Sequence, residues 1–280
     1  MFLIHKGVQW MLISTIFFSI MGACVKFGGD YFSPYELVFY RALLSLIIIT
    51  AIMKITNVKI KSKYPQLHIA RSVVGSISLL LFFYAICYLP LSTAMTLNYT
   101  SPLFVGLLMP FILKRKVKNW LFLAILVGFI GVFFTLKPTI DNQNYLTGFI
   151  GLTSGFGAAM AYLFVTQLAQ LKEPDIRTVF YFTLISTIGA GLISLLDGFH
   201  KPRIEDFFFL FLLGVSATIA QLAITKAYRV GNTLGNAGLS YLAIVFSTII
   251  GVFYFKETID WISFIGIALI ILSGLLASRR

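Results

Sequence analysis

The sequence predicts an all-α membrane protein of ten transmembrane helices, arranged as two inverted five-helix repeats. Three observations predict it. The 280 residues are 59% hydrophobic and only 11% charged, with a mean hydropathy of +0.92, so most of the chain must avoid water. Apolar runs long enough to cross a bilayer as helices follow one another from end to end, without the alternation of a barrel strand. Short strings also recur half a chain apart. Pro34 precedes Val38-Phe39-Tyr40 as Pro174 precedes Val179-Phe180-Tyr181, while Asn119-Trp120 returns as Asp260-Trp261, Tyr99 as Tyr241 and Tyr88 as Tyr228. The repeats are expected at 1–140 and 141–280. An odd number of spans in each turns the second copy upside down relative to the first, the usual architecture of a secondary transporter.

The spans are expected at roughly 8–27, 34–53, 67–88, 92–113, 119–136, 147–170, 178–196, 207–227, 233–255 and 261–277. The first run follows Lys6 and reads as a retained signal-anchor helix, because nine more spans follow it. Ser72 to Leu113 carries no Asp, Glu, Lys or Arg; it is too long for one helix and breaks at Leu89-Pro90. Pro102 and Pro110 predict a bend in the fourth span beside Asn98-Tyr99-Thr100-Ser101, where freed carbonyls could serve a solute as well as a purely structural kink. Connections are short and leave no room for a separate soluble domain. Gly151 and Gly155 form a GxxxG pair and read as close helix packing.

The net charge of +12 does not point to nucleic acid, because it is unevenly placed. With the N-terminus inside, sixteen Lys and Arg, Arg71 among them, fall in inner connections and five in outer ones. The bias predicts both termini in the cytoplasm and a multi-pass protein of the inner (cytoplasmic) membrane. Lys114-Arg115-Lys116-Val117-Lys118 corresponds by the repeat to Lys256-Glu257-Thr258-Ile259-Asp260, of opposite charge character, as inversion requires. Cys24 and Cys87 read as small core residues, and no metal-ligand spacing exists.

No HExxH, GxSxG, paired-Asp or Gly-rich phosphate motif is present, which counts against an enzyme and against ATP hydrolysis. Charges inside or beside spans are costly and few: Lys26, Glu36, Arg41, Lys226 and Arg229. Glu36 and Arg41, five residues apart, do not share a helix face, and Lys26 is the expected mate of Glu36. Snorkelling of these side chains to the interface is the competing reading. Neutral polar residues form stripes on four spans: Ala94, Asn98 and Ser101; Thr153, Gly157, Met160, Phe164 and Gln167; Ala217, Gln221, Thr225 and Tyr228; and Asn232, Asn236, Ser240 and Ser247. Such faces suit a wet cavity for a modest organic solute, and equally helix–helix contact. Tyr84, Tyr99, Tyr162 and Tyr241 are the tyrosines expected near that cavity.

Read together, Ser33-Pro34 through Phe39-Tyr40-Arg41-Ala42, Tyr88-Leu89-Pro90-Leu91-Ser92-Thr93-Ala94 into Asn98-Tyr99-Thr100-Ser101-Pro102-Leu103, Ala220-Gln221 through Ala227-Tyr228, and Tyr241 through Phe255-Lys256-Glu257 with Gly266 and Gly274 resemble an EamA-type member of the drug/metabolite transporter (DMT) superfamily along nearly the whole chain. The resemblance implies a central cavity lined largely by spans 1, 3, 4, 6, 8 and 9. It also implies an acidic residue closing the fourth and ninth spans; Glu257 fits the second, but Arg115 stands where the first is expected. The expected substrate-binding residues are Tyr84, Asn98, Tyr99, Ser101, Tyr162, Gln167, Gln221, Thr225, Asn236, Ser240 and Tyr241, and the coupling or gating residues Lys26, Glu36, Arg41, Lys226 and Glu257. The expected function is secondary transport of a small organic metabolite by alternating access, with export of amino acids or related metabolites favoured by the resemblance alone. Import or exchange of a vitamin or nucleotide-like metabolite is the alternative, and a membrane enzyme acting on a lipid intermediate the alternative of another class. The expected partners are a small-molecule substrate and the lipid bilayer, with no nucleic acid and no cofactor. Proton coupling and the choice between monomer and homodimer are open.

Overall fold

The computed structural model describes residues 2–114, 123, 126–128, 130, 131, 134, 145–231 and 233–278. The described elements are all helical: α1 (Phe2–Gly28), α2 (Pro34–Ile55), α3 (Pro65–Tyr88), α4 (Leu91–Asn98), α5 (Ser101–Ile112), α6 (Tyr145–Gln170), α7 (Asp175–Asp197), α8 (Asp206–Val230), α9 (Thr233–Leu239), α10 (Leu242–Phe253) and α11 (Trp261–Ser278). Eight stretches among them are long and apolar enough to cross a membrane, and Trp261–Ser273 adds a shorter one. The fifth expected span, 119–136, lies mostly outside the described residues, as does Arg115.

Proline placement explains several helix starts. Pro34 and Pro65 occupy the first turn of α2 and α3, while Pro90 and Pro174 cap α4 and α7. At a first turn the missing N–H removes no intrahelical bond. Ser33 adds a capping box to α2, its hydroxyl accepting from the Glu36 N–H and its own N–H donating to the Glu36 carboxylate.

The fourth and ninth spans are each broken: the first break falls beside Asn98-Tyr99-Thr100-Ser101, where the prolines predict a bend, and the second corrects a continuous helix over 233–255. α4 stops at Asn98 and α5 starts at Ser101 with Pro102 in its first turn, so Asn98 loses the amide that would have bonded its carbonyl. The second break, between α9 and α10, has no proline. There Tyr241, Ala243 and Ile244 donate to carbonyls only three residues back, at 3.3, 3.0 and 3.0 Å. After both α5 and α10 the chain turns through a left-handed lysine, Lys114 (φ 52°) and Lys256 (φ 56°).

The helix pairing shows the repeat in three dimensions. α1 packs along α8 and α3 along α6, each contact being the other with its halves exchanged. α2 faces its own counterpart α7, and α5 against α6 is mirrored by α10 against α1. The copies run in opposite directions. The connections after α2 and α6 share one end of the bundle, where Arg177 Nε donates to Lys59 O at 2.8 Å and Tyr181 OH to Ile60 O at 3.3 Å. Gly7, at the start of α1, meets Gly231, just past α8, at that end, where Arg229 pairs with Asp175. We call it the basic end, since Lys54, Lys59, Lys61, Lys63 and Lys172 lie there. α1 and α6 thus begin at opposite ends.

The apolar core follows the seams between the halves, with Met11, Met21, Val25, Leu37, Phe83, Ile86, Leu91, Ala220, Tyr241 and Ile244 all buried. Small residues let backbones approach. A Cβ on Gly151 would meet Leu97 and Ala85, and one on Gly155 would meet the Leu97 and Asn98 carbonyls, so the GxxxG pair seats α4 and its break against α6.

Candidate functional site

Between the halves lies a cavity of about 60 Å3. Polar groups reach it from five helices: Arg41 of α2, Arg71 and Ser78 of α3, Asn98 and Tyr99 at the α4 break, Tyr162 of α6 and Gln221 of α8. Phe18, Met21, Phe82 and Phe182 supply much of the rest. Of the expected binding residues, the structure brings Asn98, Tyr99, Tyr162 and Gln221 together here, with Arg41 from the expected gating set.

The two arginines dominate the site. Each is only 2% exposed. Nε and Nη1 of both have no hydrogen-bond partner among the described residues, and neither belongs to any ion pair found there. Both face one ring: the Arg71 guanidinium carbon is 4.0 Å and that of Arg41 5.5 Å from the Phe182 centroid. Cation–π contacts contribute about 0.5–2 kcal/mol each, whereas taking a guanidinium out of water costs several kcal/mol. The ring alone does not offset the burial. Gly75, one turn beyond Arg71, leaves the guanidinium room, since a Cβ there would meet Phe182 at 3.2 Å and Arg71 Nη1 at 3.3 Å.

Arg71 corrects the sequence reading, which counted it with the inner connections. α3 starts at Pro65, so Arg71 is nearly two turns inside a helix. Phe182, Gly75 and Ser78 were also missed. Arg71 had a usable signal, a lone cation opening a stretch without charges; Phe182 is one of 28 phenylalanines and had none.

The neutral polar residues are partly committed to the scaffold. Asn98 Nδ2 donates to Ser154 Oγ at 2.9 Å, and Ser78 Oγ to Ser154 O at 2.7 Å, tying α4 and α3 to α6. Thr225 Oγ1 donates to Gln221 O at 2.8 Å. The Tyr162 ring stacks on Tyr228, 5.0 Å between centroids, so it is held as a wall. Ser101, Gln167, Thr225, Asn236, Ser240 and Tyr241 do not line this cavity. Asn236 Nδ2 bonds Ala227 O, fastening α9 to α8, and Ser240 Oγ bonds Ala237 O. Tyr241 is buried at the second break, its hydroxyl without a partner among the described residues. Tyr84 lies against Tyr88, centroids 4.6 Å apart, away from the cavity. On α6 the cavity face is Ala158, Ala161 and Tyr162 rather than the stripe through Thr153 and Gly157.

The other expected gating residues sit at the ends of the bundle. Lys26 does not pair with Glu36; its Nζ donates to Leu89 O at 2.7 Å. Glu36, 0% exposed, accepts from the His200 amide at 2.6 Å and has His200 Nδ1 at 2.9 Å, in addition to capping α2. Lys226 lies over the Trp10 ring, 4.3 Å from its centroid. Glu257 accepts from Leu91 N, from Ser92 N at 3.3 Å and from Ser92 Oγ at 3.0 Å. A carboxylate thereby sits on the first turn of α4, where orphan amides and the helix dipole favour it. At the basic end Glu173 accepts from Arg177 Nη1 at 2.6 Å and lies 3.1 Å from His68 Nε2, with His68 stacked on Tyr181. Both ends are closed by polar clasps and the cations lie between them.

Comparisons with known proteins agree with this arrangement. A model of the EamA-like transporter family matches the chain twice, over residues 5–137 and 146–279. A protein of Helicobacter pylori named only as an uncharacterized transporter is 32% identical, over 96% of this chain and 93% of its own. The pseudopaline exporter CntI of Pseudomonas aeruginosa is 26% identical over 99% and 97%, and an S-adenosylmethionine uptake transporter of Rickettsia bellii 24% identical over 95% and 90%. One solved crystal structure superposes with a TM-score of 0.75 at 17% identity, covering 98% of this chain and 96% of that one, a likeness of fold.

Proposed function

The chain belongs to the EamA-like transporter family, and from that premise we propose that it exports an amino acid or related metabolite across the cytoplasmic membrane by alternating access. The family makes it a multi-pass transporter of small metabolites; direction, substrate and mechanism are our reading. One observation carries it: a cavity between two inverted halves that polar groups reach from five helices, beside a broken helix, with clasps at both ends. A carrier needs such a site to face each side in turn. At about 60 Å3 the cavity is well below the roughly 300–1,000 Å3 of small-molecule sites, so a substrate enters as the halves part. The basic end is proposed as cytoplasmic, on the charge bias.

Export is favoured by the likeness to the Pseudomonas aeruginosa exporter, 26% identical over 99% of this chain, against 24% over 95% for the Rickettsia bellii uptake transporter. The test uses proteoliposomes with the basic end facing outward, a metabolite panel outside, and accumulation inside as the readout. Saturable accumulation supports export. Accumulation only in vesicles of the opposite orientation makes the protein an importer, and product formation in detergent without vesicles makes it an enzyme.

A further inference from the structure

We infer that the Arg41–Arg71 cavity receives an organic dianion, a small metabolite carrying two carboxylates, with one guanidinium fork on each. The inference rests on the transporter reading and adds the substrate's chemistry to it.

Three observations converge. Arg41 and Arg71 are buried, line the same cavity, and keep Nε and Nη1 unbonded among the described residues. Each of these free nitrogens is one half of a guanidinium fork, Nε with Nη2 on the side or Nη1 with Nη2 at the end, that can take both oxygens of one carboxylate. No carboxylate lines the cavity among the described residues. Glu36, Glu173, Asp175 and Glu257 are engaged at the bundle's ends, so the described residues supply no counter-charge where the two cations are. Two fixed positive charges in a low-dielectric site favour two negative ones. The arginines also enter from opposite ends: Arg41 is seven residues into α2 from the Glu36 end and Arg71 six into α3 from the basic end. A ligand bearing two separated carboxylates would bridge them. Phe18, Met21, Phe82 and Phe182 suit a hydrocarbon linker between the charges.

The test is a melting-temperature titration of the purified full-length protein with linear dicarboxylates from malonate to adipate. Succinamate, which has the shape of succinate with one charge fewer, and inorganic phosphate are the controls. At least one dicarboxylate is expected to stabilise at a concentration tenfold or more below that needed of succinamate. R41M and R71M are each expected to lose that response at least tenfold and, freed of an uncompensated buried charge, to melt no lower than wild type without ligand. R41K and R71K keep the charge and lose the fork, and should retain part of the response.

The inference is overturned if no dicarboxylate stabilises, if succinamate or phosphate does as well, or if both methionine variants respond like wild type. Its failure is separable from that of the transport reading. Counterflow of a neutral or zwitterionic metabolite that survives R41M and R71M removes the dianion and leaves the transporter. Dicarboxylate stabilisation without counterflow of any compound keeps the dianion site and removes transport.

Discussion

Arg41 and Phe182 hold the same position in the two repeats, the fourth residue of Val38-Phe39-Tyr40-Arg41 and of Val179-Phe180-Tyr181-Phe182, and they meet with the guanidinium carbon 5.5 Å from the ring centroid. α2 packs on α7, so a single ancestral position meets itself across the repeat axis. Two cations there would repel; a cation and a ring attract. The asymmetry lets Arg71 approach the other arginine through a shared ring.

Phe182→Leu should therefore be felt by both cations. It keeps a large apolar side chain but removes two cation–π contacts of about 0.5–2 kcal/mol each, giving a loss of about 1–4 kcal/mol read as a lower melting temperature. Phe182→Tyr keeps the ring and should lie within about 1 kcal/mol of wild type if its hydroxyl reaches the cavity. Equal losses in both variants would mean that the ring acts only by volume.

At the basic end, burial alone would raise the Glu173 carboxyl, but hydrogen bonds from Arg177, His68 and Ser62 outweigh it and hold the group below the usual carboxylate range. A lowered folded-state value contributes stability that is complete above the unfolded value of about 4.3 and is lost as pH falls through the folded one. Glu173→Gln should melt lower than wild type at pH 7, by an interaction worth about 1.5–3 kcal/mol. The gap should close below about pH 4. A gap constant down to pH 3 would show that the charge contributes nothing.

Glu36 invites a proton-coupling role because it is an acid buried near a span's end. The geometry assigns its oxygens to Ser33 and His200, and it does not line the cavity. Glu36→Gln should cost about 1 kcal/mol of stability through the weakened cap and leave the pH profile of transport unmoved. A profile that flattens in this variant, measured as initial rate in proteoliposomes, would place coupling at Glu36 after all.

The helices were legible because hydropathy and proline position act locally. Nine of the ten expected spans correspond to described helices, and the polar stripes pointed to Asn98 and Gln221 because an amide in an apolar run is costly unless used. What stayed hidden is pairwise and distant. Glu36 finds His200 across 164 residues, which no spacing reveals, so the nearer Lys26 looked the better mate. Arg71 was hidden by its neighbours: the lysines from Lys54 to Lys63 make a basic loop, and Arg71, although inside the expected 67–88 span, was counted with that loop. The break before Tyr241 carries no proline and arises from three-residue backbone bonding, which leaves no mark on composition.

The proposed orientation rests on the same charges and can be tested chemically. With Cys24 and Cys87 replaced by Ser, a cysteine at Lys61 should be blocked only by a reagent that enters the cell, and one at Lys201 by an impermeant one. Both positions are exposed, and they lie at opposite ends. Reversed labelling would place the basic end outside and reverse the proposed transport direction.

Gly155 offers the sharpest test of how the broken helix is held. An added Cβ would lie 2.8 Å from Leu97 O, 2.9 Å from Asn98 O and 2.6 Å from Thr100 Oγ1. Two of these are backbone and cannot swing aside. Asn98 O is the carbonyl that Pro102 leaves without its amide, so α6 is placed directly against the freed group. Gly155→Ala should force α4 and α6 apart at about 1–3 kcal/mol and move Asn98, which is tied to Ser154 next door. Gly189 on α7 is the control, because nothing lies within 4 Å of a Cβ there. Alanine at 189 should be neutral or gain up to about 1 kcal/mol from helix propensity. If the two alanine variants melt alike, close approach at the break is not what holds the cavity together; if only Gly155→Ala loses stability and transport together, the break and the site are one structure.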